Sequence, residues 1–219
     1  GDLTAQAELY EDIADKDPTL VAVFDTRKLA VLSKPWEIIP VEGSGKAGEK
    51  QAAARRKMLE NLSLAHISAM PGYSGEYLDF ESLLSYLMDN VARGFSAAVP
   101  VWDPKTWEIV AAKQHAQKHF ILGDVRKSGS VEYNPYELRK RTIDDQAFGE
   151  EILPYEFIIH WYRGKSGLPS RMGMLRTTTW WYLFKNYAMA SWVKAAERFG
   201  MPLVWGKYDP SGSDEDKEV

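Results

Sequence analysis

Residues 176–200, RTTTWWYLFKNYAMASWVKAAERFG, read as one long helix. At about 100° per residue its large apolar side chains occupy most of the helix circumference, whereas an ordinary surface helix needs only one apolar side. Such a helix is covered on most sides, either as the central core helix of one domain or by neighbouring subunits, and periodicity alone leaves both alternatives open. The large apolar side chains are Trp180, Trp181, Tyr182, Leu183, Phe184, Tyr187, Met189 and Trp192.

Upstream of this stretch the hydrophobic pattern first has a helical period. It predicts helices over residues 2–15, 18–34, 48–62 and 79–94, the second of them capped by Asp17. This second helix is expected to bury one side, formed by Leu20, Val23, Phe24 and Val31.

From residue 95 the period changes to two, which is typical of strands. A charged connector is expected at residues 134–152, before the last of the predicted strands. Helices, strands and one long helix follow one another without regular alternation, so the predicted fold class is α+β. The predicted strands are 35–41, 95–102, 106–114, 118–124, 130–134 and 154–162.

Composition narrows the classes of protein that the chain can represent. With 45% apolar and 26% charged residues the chain resembles a globular protein, and no run reaches the ~18 apolar residues of a membrane span. A net charge of −4 argues against a protein that grips nucleic acid by neutralising phosphates. The absence of cysteine excludes disulfides and zinc-thiolate sites and indicates a reducing compartment. The chain starts at Gly1 instead of Met, which indicates a piece of a longer polypeptide.

A glycine-rich segment, GSGKAG at 43–48, imitates a dinucleotide-binding turn between a strand and a helix. Pro40 interrupts the preceding strand, and no acidic residue stands where a second parallel strand should end. As a phosphate loop the segment also fails, because Lys46 is followed by Ala47 and not by a hydroxyl residue. A surface turn is therefore the preferred interpretation, with nucleotide binding as the alternative.

Histidines and carboxylates supply no recognisable catalytic pattern. His115 and His119 have the spacing of metal ligands on a helix, but their local pattern favours a strand, on which the pair would separate, and we predict no metal site. His160 lies in a strand and is expected to be partly buried. We predict neither an enzyme nor a cofactor. The acidic residues of the connector, whose spacing does not require acid–base chemistry, are Asp144, Asp145, Glu150 and Glu151.

A much longer signature lies in residues 160–208, and it resembles the portal proteins of phage Mu and related prophages. Looser likeness over 26–42 and 79–102 extends the resemblance to nearly the whole chain, whereas 103–150 match weakly. Members of this family begin earlier and continue further, so the chain resembles a central piece of one. The matching positions are Gly167, Leu168, Pro169, Gly173, Leu175, Arg176, Trp180, Tyr182, Leu183, Phe184, Lys185, Tyr187, Trp192, Glu197, Phe199, Gly200, Met201, Pro202, Gly206, Lys207 and Tyr208.

The resemblance implies a structural, non-enzymatic protein that forms a ring of identical subunits, usually twelve, at one capsid vertex. Double-stranded DNA passes through this head–tail connector during packaging and ejection. Implied partners are identical copies, terminase, head and tail-connector proteins and the DNA in the channel, without a membrane or a small-molecule substrate. The implied location is the virion, with assembly in the host cytoplasm.

On this basis we expect an α+β wing-like region over 1–175, a long aromatic helix with a following strand over 176–208 that begins the stem, and a disordered acidic tail over 209–219. Arg176 and Lys185 are candidates for charge contacts between subunits. The helix is expected to break at Gly200, Met201 and Pro202. The expected packing or subunit-contact residues are Trp180, Trp181, Phe184, Tyr187 and Trp192.

Two other functions stay open at this point. The first is a self-contained adaptor domain that uses the aromatic helix to hold a different protein. The second is a phosphate- or nucleotide-binding enzyme that uses the loop at 43–48.

Overall fold

The computed structural model describes residues 3–63, 67–68, 76–127, 130–164 and 166–200. The predicted acidic tail and the predicted strand after the long helix lie outside these residues. The chain divides into two compact units, Gly1–Thr179 and Trp180–Val219, and each is described by itself. The functional division predicted at residue 175 stays a prediction.

Most helices lie in the first unit, and the last one continues from it into the second. Asp17 caps α2, because its carboxylate accepts hydrogen bonds from the backbone N–H groups of Thr19 and Leu20 while Pro18 occupies the first helical position. The described helices are α1 (Leu3–Lys16), α2 (Pro18–Leu32), α3 (Gly45–Asn61), α4 (Phe80–Leu87), α5 (Asn90–Arg93) and α6 (Leu175–Gly200).

The strands form two antiparallel sheets. The first sheet has the order β1-β3-β2-β7 and the second has the order β4-β5-β6. Antiparallel sheets, together with helices that do not alternate regularly with the strands, confirm the α+β class. The strands are β1 (Tyr77–Leu78), β2 (Phe95–Trp102), β3 (Ile109–His115), β4 (Phe120–Lys127), β5 (Ser130–Lys140), β6 (Glu150–Glu151) and β7 (Ile158–Trp161).

An aromatic core joins the two sheets. Phe95 of β2 and Phe120 of β4 are almost fully buried, and their ring centroids lie 5.7 Å apart at a steep angle. Phe157 adds a second edge-on contact to Phe120 at 5.3 Å, and Leu3 of α1 closes the same cluster. Such aromatic pairs contribute beyond their buried area, so this cluster is expected to dominate the stability of the first unit.

Two glycines fix the point at which α6 begins. Gly94 has a φ of 102°, and a Cβ on Gly173 would lie only 2.7 Å from the carbonyl oxygen of Ala92. The N–H of Met174 also donates to the carbonyl oxygen of Val91 at 3.0 Å. This close backbone approach anchors the residues just before α6 to α5 within the first unit.

Several predictions from the sequence are wrong in this unit. Residues 35–41 form no strand, because Pro35 and Pro40 remove two of the N–H donors that a sheet would need. No residue of α2 is buried, and Val23 and Val31 are exposed because the apolar side chains of this helix point in all directions. The connector at 134–152 is partly sheet, since β5 continues to Lys140 and pairs with β6.

Candidate assembly surface

The aromatic helix expected from the sequence is present, and its large side chains are exposed. The exposed fractions are 65% for Trp180, 74% for Trp181, 58% for Phe184, 66% for Tyr187 and 78% for Trp192. Single exposed apolar residues are ordinary, whereas a contiguous exposed set of this size is typical of interaction surfaces.

These side chains form two faces on the helix. With 3.6 residues per turn, Trp180, Phe184 and Tyr187 share one direction, which we call face A. Trp181 and Trp192 point about 100° away and define face B, which Phe199 extends. The ring of Phe184 lies 6.5 Å from both Trp180 and Trp181, so the two faces meet. One helix cannot bury both faces on itself, and the two directions can be covered by two different neighbours.

The helix is also basic. Residues 176–200 contain four basic side chains against one acidic side chain, Glu197. Lys194 and Arg198 occupy helix positions on the side of face A, whereas Glu197 lies about 100° away from Arg198. An apolar partner surface with an acidic rim would suit face A best.

Both predicted charge-contact residues are exposed. Arg176 lies at the start of α6, in the first unit, and acts electrostatically on Tyr10 of α1. Burial raises the pKa of the Tyr10 hydroxyl, while the hydrogen bond from Gln6 and the charge of Arg176 act in the opposite direction. Helix α6 runs to Gly200, and Met201 and Pro202 lie outside the described residues. The contact roles of Arg176 and Lys185 stay predictions.

A second apolar surface lies at the end of the β2–β3 hairpin, where the loop before β7 meets it. We call Trp102, Trp107, Leu153, Pro154 and Tyr155 the hairpin patch. The patch was not predicted from the sequence, because its members come from two loops more than forty residues apart. One signal of it is visible in the sequence, since Trp102 and Trp107 stand on either side of the turn at 103–106.

The glycine-rich segment does not have the geometry of a nucleotide-binding turn. Gly45 and Gly48 lie in the first turn of α3, and no strand precedes them. Ser44 donates its hydroxyl to the carbonyl oxygen of Val41, which closes a local turn. The interpretation of 43–48 as a separate surface turn is thus wrong in its second half, which is helical.

His115 and His119 stay together although they are not on one helix. His115 ends β3, and a 3-10 turn, Gln117–His119, brings the two rings to 5.2 Å. Burial lowers the pKa of His115, the charge of His119 lowers it further, and Glu156 opposes both. Over the part of the chain that the structure describes, no group of three or more His, Cys, Asp or Glu residues could hold a metal ion.

The charged residues around this histidine pair are bound to one another. Glu11 forms ion pairs with Arg93 and Lys118, each at 3.7 Å, and Lys28 pairs with Asp89. These pairs connect α1, α2, the α4–α5 corner and the 3-10 turn. They are therefore consistent with a structural role.

Three of the remaining sequence candidates, His160, Asp145 and Glu150, have local partners. His160 is exposed, contrary to expectation, because β7 is an edge strand, and its Nδ1 lies 3.3 Å from the carbonyl oxygen of Leu87. Asp145 accepts a hydrogen bond from the N–H of Phe148, and Glu150 accepts one from the hydroxyl of Thr142. These carboxylates stabilise the turn between β5 and β6.

Comparisons with known proteins identify the family of the chain. The family model "Portal protein of Mu bacteriophage" matches residues 7–219, and the chain belongs to this family of phage portal proteins. It is 27% identical to the Mu-like prophage FluMu protein gp29 of Haemophilus influenzae, over all of this chain and 38% of that protein. It is 26% identical to the portal protein of Escherichia phage Mu, over 97% of this chain and 37% of that protein.

The chain thus spans less than two fifths of the length of these relatives. Among the helices that the structure describes, none is long and apolar enough to cross a membrane.

Proposed function

We propose that this chain is part of a subunit of a ring of identical copies, the portal at the head–tail junction of a Mu-like phage or prophage particle. The observation that carries the proposal is the exposed pair of aromatic faces on α6. In a closed ring each subunit contacts one neighbour on either side through different surfaces. Two exposed faces about 100° apart suit that arrangement.

In this proposal residues of the first unit form the wing-like outer part, and α6 leads towards the stem. Double-stranded DNA passes through the ring during packaging and ejection. The net charge of −4 supports a conduit, since each phosphate contact by Lys or Arg would add salt-dependent affinity that slows passage. The partners are identical copies, terminase, head and tail-connector proteins, and the protein itself is not an enzyme.

The proposal is tested by the mass of the complete protein in solution, measured by light scattering after size-exclusion chromatography. A ring gives a single species at many times the subunit mass. An adaptor domain that uses α6 to hold a different protein gives a monomer until that protein is added. A monomer at all concentrations, with no change when terminase or connector proteins are added, contradicts the portal role.

The nucleotide-binding alternative has its own test on the same material. Titration with ATP or NAD is expected to give no saturable binding, because Gly45 and Gly48 lie in the first turn of α3 and no strand precedes them. Saturable binding that Gly45→Ala abolishes would revive that alternative.

A further inference from the structure

The hairpin patch combines exposure with backbone strain. Trp107 and Tyr155 are 77% and 81% exposed, yet their φ angles are 56° and 67°. This left-handed region costs an L-residue free energy, whereas glycine adopts it freely. Neither side chain recovers that cost by burial in its own unit, and strain of this kind concentrates at sites of function.

Hydrogen bonds hold the patch in this shape. The N–H of Trp107 donates to the carbonyl oxygen of Asp103, and the carboxylate of Asp103 accepts from the N–H of Lys105 and the hydroxyl of Thr106. The indole N–H of Trp102 donates to the carbonyl oxygen of Tyr155 at 3.4 Å, which ties the two loops together. An apolar surface that internal hydrogen bonds already hold in shape loses little conformational entropy when a partner binds.

We propose that the hairpin patch is the surface on which face A of α6 from a neighbouring copy docks. The proposal rests on the proposed ring and names one contact within it. In a head-to-tail ring, each subunit must present a second surface that is complementary to its first one. The hairpin patch is an exposed apolar surface of the first unit that can serve as this second surface.

Charge favours this occupant. The exposed carboxylate of Glu108 follows Trp107, and Lys105 is the basic residue of the hairpin turn. Glu156 also lines the patch, but its carboxylate is paired with Lys140. Lys194 lies on the same side of α6 as face A, two turns beyond Tyr187, whereas the guanidinium of Arg198 lies over the ring of Phe199 on face B. When face A docks on the patch, Lys194 can meet the exposed carboxylate of Glu108, and that carboxylate disfavours contact with nucleic acid.

The area of the patch also favours a ring. At about 200 Å² per large aromatic side chain, the three aromatic residues of the patch, Trp102, Trp107 and Tyr155, present about 390 Å² of surface together. A stable independent complex needs about 800 Å² per partner, so the patch alone would hold a separate soluble protein weakly. In a closed ring the same contact is reinforced by every other interface of the subunit.

The experiment is photo-crosslinking of the complete protein with p-benzoylphenylalanine in place of Trp107. Copies that carry the crosslinker are mixed with ¹⁵N-labelled copies, dissociated and reassembled, and crosslinked peptides are identified by mass spectrometry. Crosslinks from position 107 to labelled peptides of α6 support the proposal. Crosslinks within one copy, to other regions, or to none overturn it.

Sizing of the same samples separates the two proposals. If no ring forms, the proposed function fails. If a ring forms without crosslinks from position 107 to α6, this inference alone fails.

Variants give a second readout that does not depend on crosslinking. Trp107→Gly relieves the left-handed backbone, so we expect equal or higher thermal stability with an at least ~10-fold higher concentration for half-assembly. Tyr136→Gly is the matched control, because it removes an exposed aromatic side chain from β5 outside the patch, and it should leave assembly unchanged. Unchanged assembly of Trp107→Gly overturns the proposal. The charge contact is tested by Glu108→Lys and Lys194→Glu. If each change alone weakens assembly and the two together restore it, the result supports the proposal.

Discussion

Removal of face A should dissociate the assembly without unfolding the subunit. The perturbation is a triple variant, Trp180→Gln, Phe184→Gln and Tyr187→Gln. At about 200 Å² per aromatic side chain, their exposed fractions of 65%, 58% and 66% correspond to about 380 Å² in total. Glutamine has a helix propensity at least equal to that of aromatic residues, so α6 should persist.

The magnitude follows from that area. At about 25 cal/mol/Å² a neighbour that covered the whole face would gain about 9 kcal/mol, which is an upper limit because association also has entropic and desolvation costs. Even about 3 kcal/mol lost per interface weakens the association constant more than a hundredfold. The assay is sedimentation velocity of the complete protein over a range of concentrations.

The matched control is Ala190→Gln with Glu197→Gln, two changes away from both aromatic faces. The control should assemble like the unaltered protein, and circular dichroism should show equal helix content in both variants. Assembly of the triple variant at unchanged concentration would refute the assignment of face A to a subunit contact.

Three further predictions concern the first unit. Phe120→Ala should lower the free energy of unfolding by about 3 to 5 kcal/mol in urea titrations, because the ring is fully buried among Phe95 and Phe157. Gly173→Ala should cost about 1 to 3 kcal/mol in the same titrations, since its Cβ would meet backbone atoms that cannot move aside; unchanged stability would show that the corner before α6 is not tightly packed. His115→Gln should reduce the loss of folding stability between about pH 7 and pH 5. In the folded protein the pKa of His115 is lowered by burial and by His119, so the unfolded chain takes up the proton first as the pH falls. An equally steep pH dependence of the urea midpoint in that variant would contradict this attribution.

The sequence was sufficient where local signals agree with one another. The long helix was predicted to within one residue at its start, because its pattern continues over seven turns. The hairpin of β2 and β3 and the cap at Asp17 were also predicted, since alternation and cap chemistry act over a few residues. These features need no knowledge of distant contacts.

The errors have two sources, local chemistry that interrupts the hydrophobic pattern and packing between distant segments. Residues 35–41 are rich in apolar side chains, but Pro35 and Pro40 leave too few donors for a sheet. The 3-10 turn after β3 brings His115 and His119 together, and a spacing rule for helices or strands does not anticipate such a turn. His160 was expected to be partly buried, but the position of β7 at a sheet edge leaves it exposed.

The candidate surface was predictable only in part. The aromatic residues of α6 were identified from periodicity, but periodicity could not say whether the helix is covered by its own domain or by other chains. The hairpin patch depends on two loops that meet through the Trp102–Tyr155 hydrogen bond and on left-handed backbone at Trp107 and Tyr155. Neither property has a signature in one sequence.

The role of α6 as a subunit contact is tested most directly by hydroxyl-radical footprinting of the complete protein in its assembled and dissociated states. Oxidation of individual tryptophans is read by mass spectrometry. If neighbouring copies cover α6, Trp180, Trp181 and Trp192 become oxidised severalfold more slowly on assembly. Equal oxidation rates in both states would show that other surfaces hold the ring together and that the aromatic helix is not a subunit contact.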